Sequence, residues 1–227
     1  SRTVTVEGYC IDPAAREQLL ASLGAIATLD GEDPAADLAV TFAGRTLTAR
    51  ARLSRAGTTL KNWGVGHFGW QVEWWCPDPY RYGPAQAAST GVPTDVGGLA
   101  FPLFTATSLL GFGGISTPGR ITLTNAGTAP AWPILDITGP LGGFELIELS
   151  TGRRIRWDSD VPDGVHLSID TRSGAVTYAD QPGYDGSLTA RQWWSIPPGG
   201  QRIAQLNPLG ASSGSSNLTA TWASTYW

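Results

Sequence analysis

From residue 99 to the end, the chain is cut into short runs by turn residues at close intervals, and this punctuation limits the fold more than any other feature. The runs are LAFPLF, RITLT, WPILDIT, FELIEL, RRIRWD, VHLSID, AVTYA, RQWWSI, RIAQL and LTATWA. Between them stand Asn125-Ala126-Gly127, Thr151-Gly152, Asp163-Gly164, Ser173-Gly174, Asp185-Gly186 and Pro198-Gly199-Gly200, with GASSGSSN (210–217) before the last run. Each run is too short for a helix and rich in β-branched and aromatic residues. A succession of this kind packs as a β-sandwich or jelly roll. No 20–50-residue repeat favours a solenoid or propeller.

The first 83 residues have another rhythm. RTVTVEGYC alternates Val4, Val6 and Gly8 against Thr3, Thr5 and Glu7, the period of a half-buried strand. Asp12 before Pro13 then forms a helix start, and Ala15, Leu19, Leu23 and Ile26 recur on one helical face, with Gly24 as a terminator. LAVTF, the turn Ala43-Gly44-Arg45 and TLTARARL make a hairpin, with Leu38, Val40 and Phe42 on the side of Leu47, Ala49, Ala51 and Leu53. FGWQVEWW closes the unit. PDPYRYG ends it, because two prolines withhold N–H donors from the ladder and Gly83 releases the chain. The stretch 84–98 has no sustained periodicity and is read as a linker. The expectation is a mainly β protein of two β-sandwich domains: 1–83 with one short helix, and 99–227.

Charge excludes more than it assigns. The net charge is −4, and residues 84–227 repeat the near balance of 1–83, so no basic footprint for nucleic acid exists. No apolar run approaches the roughly 18–20 residues of a membrane-spanning helix, and SRTVTVEG lacks the layout of a signal peptide. Methionine is absent even at position 1, which is read as a fragment, a processed product or part of something longer. Cys10 and Cys76 share parity with inward-facing neighbours and are expected as buried free thiols.

Catalytic chemistry finds little footing. His67 and His166 lie far from any nucleophile-elbow pattern, and His166 has solvent-facing parity in its run. Neither the histidines nor the cysteines have metal-ligand spacing, and WDSDVPDG lacks the regular carboxylates of a calcium loop. Neither metal nor cofactor is expected. Glu145, Glu148, Asp158, Asp160 and Asp163 raise the question of a glycosidase, but Glu145 and Glu148 fall on opposite strand faces and Asp160 and Asp163 flank a turn. Ten tryptophans are the remaining surplus. In Trp74-Trp75 and Trp193-Trp194 a strand sends one ring to each face, so one of each pair is available to a partner. Trp75, Tyr80, Arg81, Tyr82 and Trp194 are therefore the candidate interface residues, Arg81 stacking or pairing at a domain or subunit contact.

The order of these motifs is familiar. SRTVTVEGYCID, a helix, and WQVEWWCPDPYRYG resemble the first domain of siphophage distal tail proteins, and Pro77, Asp78, Pro79, Arg81, Tyr82 and Gly83 carry the likeness. The run NAGTAPAWPILDITGPLGGFELIELSTGRRIRWD, with VHLSIDTRSGAVTY and WWSIPPGGQRI, resembles the family's second, galectin-like domain. Members usually carry a further N-terminal stretch, so the first sandwich is expected to lack its first strands here. The resemblance implies a non-enzymatic virion protein, assembled in the host cytoplasm. It implies a homohexameric ring joining the tail tube protein to the tail-tip hub and receptor-binding protein. The alternative is a carbohydrate-binding module that contacts a host glycan.

Overall fold

The structure, a computed structural model, describes residues 1–12, 15, 17–22, 36–62, 67–93, 119–184 and 186–227. Among the described residues the protein is mostly β, with one short helix that includes 17–22. The chain divides into two compact units, Ser1–Gly83 together with Trp227, and Pro84–Tyr226.

In the first unit β1 (Arg2–Cys10) pairs antiparallel with β4 (His67–Cys76), β4 with β3 (Arg45–Asn62), and β3 with β2 (Ala36–Phe42). The β2–β3 register sets Leu38 against Ala49 and Val40 against Leu47, so the predicted hairpin face is real. Its turn is shorter than expected. Ala43 and Gly44 both have positive φ, 49° and 76°, the two-residue geometry whose twist matches the flanking strands. Ala49, Ala51 and Cys76 are buried, with Val4, Leu38 and Trp74 packed beside them. Phe42 departs from the pattern: expected inward, it is 83% exposed. It is the last residue before the turn, where no further strand residue can cover it. Of the helical face, Leu19 is half-buried, while Pro13, Leu23, Gly24 and Ile26 lie outside the described residues.

Residues 84–91, without periodicity in the sequence, are not an open connection: β5 spans Arg81–Gly91. Its first part meets β3 at Thr48↔Tyr82. In the second unit β5 lies beside β15 (Asn217–Tyr226), followed in order by β7 (Ile134–Thr138), β10 (His166–Asp170), β11 (Val176–Tyr178) and β12 (Gln181–Pro182). The facing sheet runs β13 (Leu188–Arg191), β9 (Arg154–Val161), β8 (Leu141–Glu148), β14 (Gly200–Pro208) and β6 (Arg120–Asn125). Buried residues alternate with more exposed ones along β6 and most of β15, so one side of each strand turns into the core. Leu123, Leu135, Ile137, Phe144, Leu146, Trp157 and Ile196 fill it. LAFPLF lies outside the described residues.

RQWWSI is not the strand the sequence predicts. β13 ends at Arg191, and residues 192–195 run irregularly because their polar groups serve neighbours. The Gln192 side chain accepts a hydrogen bond from the Arg154 N–H at 2.9 Å, and the Ser195 carbonyl accepts one from Arg202 at 3.3 Å.

Asn125 closes the end of the sandwich. Its Nδ2 donates to the carbonyls of Ala129, Ile196 and Pro197 at 2.8, 3.2 and 3.3 Å, and its Oδ1 accepts from the N–H groups of Gly127 and Thr225 at 2.9 and 3.2 Å. One buried side chain thus satisfies backbone groups of three segments. Gly127 is required beside it, since a Cβ there would stand 1.8 Å from the Thr225 carbonyl oxygen.

Candidate assembly interface

The PDPYRYG exit folds upon itself. Asp78 Oδ1 accepts the Tyr80 N–H at 3.2 Å, an Asx turn, and Oδ2 accepts the Tyr82 hydroxyl. The Tyr82 carbonyl takes a 3.3 Å hydrogen bond from Thr48 Oγ1, tying the exit to β3. Trp227 then lies on this element: its ring centroid is 4.8 Å from that of Tyr80, tilted by 54°, and its carbonyl oxygen accepts from the Arg81 guanidinium. Tyr80, Arg81 and Tyr82 are half-buried and bound within the first unit. They form a clasp.

The two tryptophan candidates separate. Trp75, 40% exposed, stands on the face opposite Trp74, in register with Thr3 and Arg52 on the neighbouring strands. Trp194 corrects the sequence expectation: it is 1% exposed and lies in the core of the second unit, and Trp193 is the half-buried member. Parity still holds, because Ile196, two residues on, is paired to Ala131 and fully buried, which turns Trp194 the same way. The Trp194 ring is unavailable to a partner.

Beside the clasp lies a groove of about 80 Å³, walled by Val4, Leu38, Val40, Leu47 and Ala49, with Cys76, Asp78 and Tyr80 below and Arg2 and Arg81 along it. Burial pushes the Cys76 thiol up, partly opposed by the Arg2 charge, so little thiolate forms at neutral pH. Arg81 is lowered by burial and then by the like charge of Arg2. Cys10 and Cys76 are both free thiols. Cys10 pairs with Phe68 and Cys76 with Arg2, at opposite ends of the β1–β4 ladder, far beyond the roughly 7 Å Cα limit for a disulfide. This groove and the exposed Phe42 were not found from the sequence; the one signal was the position of Phe42 directly before a turn.

Three of the five acids of the glycosidase question are engaged by neighbours. Glu148 is fully buried and accepts the N–H groups of Ser150 and Thr151 at 2.8 and 2.9 Å and the Thr151 hydroxyl at 2.5 Å. Burial alone raises its pKa, but these donors outweigh burial and hold the carboxyl below its usual range. Glu145 pairs with Arg154 at 3.3 Å and Asp158 with Arg156 at 2.7 Å. The Asp158 carboxyl is lowered by the Thr189 hydrogen bond and then by Arg156. No group of three or more His, Cys, Asp or Glu able to hold a metal is found among the described residues. Among them, too, no helix is long and apolar enough to cross a membrane.

No protein-family model matches the chain, and no curated protein matches it in sequence. Solved structures do. The crystal structure of SPP1 Dit, described as a paradigm of the hub adsorption apparatus in phages infecting Gram-positive bacteria, matches over 100% of this chain and 79% of its own, with TM-score 0.64 and 12% identity. The phage P2 baseplate in its activated conformation matches with Ca at TM-score 0.42 and 13% identity, and with Sr at 0.39 and 14%. In both, 97% of this chain and 79% of the other are covered. At such identities the likeness is one of fold.

Proposed function

We propose that this chain is a non-enzymatic structural component of a phage tail tip. In this reading copies of the chain form a homohexameric ring that connects the tail tube to the baseplate hub and the receptor-binding apparatus. The observation that carries the reading is the fold match to SPP1 Dit along the whole chain, both units included. It is supported by the commitment of Glu145, Glu148 and Asp158 to local structure and by apolar side chains exposed at the surface of the first unit, Val6, Val40, Phe42 and Trp75. Assembly into a virion requires such a surface and no catalytic cleft.

Gold-labelled antibodies raised against the purified chain test the reading on particles of the phage that encodes it. Label at the distal tip of the tail is expected. Label on the head, along the tube, or on no particle at all would overturn it.

A further inference from the structure

We propose that the groove of the first unit is a socket for Phe42 of a second copy of this chain. The inference rests on the ring reading above and supplies it with a specific contact.

Phe42 stands at the end of a well-built arm. The β2–β3 hairpin is held by its ladder, by the Thr41–Thr46 hydroxyl bond of 2.8 Å and by the Asp37–Arg50 ion pair of 3.6 Å. The turn beyond it holds Ala43 at a positive φ that non-glycine residues seldom adopt. A large apolar ring is thus presented to water at a fixed position, with no polar group of its own to satisfy.

The groove fits such a ring in size and chemistry. Its 80 Å³ falls below the roughly 300–1,000 Å³ of small-molecule pockets but several-fold above the roughly 10–15 Å³ one water needs. Its walls are aliphatic, and two guanidinium groups line it. Arg81 Nε is buried without a hydrogen-bond partner. An aromatic ring offers both what the walls need, an apolar body, and what the guanidinium needs, an electron-rich face.

The occupant cannot come from the same hairpin. Val40 lines the groove and lies two residues from Phe42 on the same strand face, so the two side chains stand side by side, roughly 6–7 Å apart. Phe42 therefore points past its own groove. Phe42 of one copy entering the groove of the next, with no reverse insertion, is a head-to-tail contact, the type that closes into a ring.

Native mass spectrometry and light scattering of purified wild type, Phe42→Asp, Phe42→Tyr and Val4→Glu test this. The inference expects wild type to form rings. Phe42→Asp and Val4→Glu should raise the midpoint concentration for assembly by roughly tenfold or more, and Phe42→Tyr should retain it. Phe42→Asp keeps an intact socket and Val4→Glu keeps an intact Phe42, so a 1:1 mixture should form mixed pairs that grow no further. Because Phe42 is exposed, Phe42→Asp is expected to fold, and rings persisting in it would overturn the socket while leaving the ring reading intact. Loss of rings without mixed pairs would also overturn the socket. A wild type that stays monomeric at every concentration would overturn the ring reading itself.

Discussion

Changing Asn125 to Asp alters one atom group of a buried hub and leaves its shape unchanged. Oδ1 keeps its two acceptor contacts with Gly127 and Thr225. The position of Nδ2 becomes an oxygen facing the carbonyls of Ala129, Ile196 and Pro197. Two N–H donors are lost; the Ile196 and Pro197 carbonyls keep the backbone N–H groups of Ala131 and Gly200, while the Ala129 carbonyl loses its side-chain donor at about 1–3 kcal/mol. Repulsion between oxygens near 3 Å adds to this, and the expected cost at pH 7 is about 3–5 kcal/mol, a large share of the 5–15 kcal/mol typical of a folded domain. The cost depends on pH. Burial among carbonyls raises the pKa of the new carboxyl above its unfolded value of about 3.9. The variant is therefore least impaired below about pH 4, where the protonated acid donates one hydrogen bond again, and loses stability as pH rises through the folded pKa. Urea melts of wild type and Asn125→Asp at pH 4 and pH 7 measure both effects. A cost below about 1 kcal/mol at pH 7, or one unchanged at pH 4, would refute the account of Asn125 as the hydrogen-bonding hub.

Trp194→Ala should cost about 3–5 kcal/mol in denaturant melts, whereas Trp75→Ala, at a 40% exposed site, should cost well under half of that. Glu148→Gln replaces an acceptor by a donor facing N–H groups and should cost about 1–3 kcal/mol at pH 7. Since the Glu148 pKa is depressed on folding, its contribution is present above about pH 4.5 and lost as pH falls through the folded value, so the difference between wild type and variant should narrow in acid melts. Gly127→Ala should prevent folding of the second unit or shift its midpoint strongly, because the new Cβ meets backbone rather than a movable side chain. Thiol titration of the native protein should find Cys76 slow to react and no bond between Cys10 and Cys76 under oxidising conditions; rapid labelling of Cys76 would contradict its burial.

The strands of the second unit were legible because their periodicity is a direct record of burial. RITLT, VHLSID and LTATWA face the core at alternate positions as their sequences state. RQWWSI misled because aromatic, β-favouring residues also occupy irregular segments when a side chain such as Gln192 takes over the pairing. Phe42 was misplaced for a related reason: parity gives the face of a strand, but only the neighbouring chain decides whether that face is covered. PDPYRYG was recognised as an exit, yet the docking of Trp227 on Tyr80 and Arg81 joins residues 146 or more apart in sequence and leaves no local signal. For the same reason the groove is assembled from four separate segments and appears in none of them singly.

The central claim is that this chain builds a ring, and its mass in solution tests that most directly. Light scattering across a concentration series should approach about 143 kDa, six copies of the 23.9 kDa chain, with closed rings in negative stain. A mass that remains near 23.9 kDa at every concentration would contradict it.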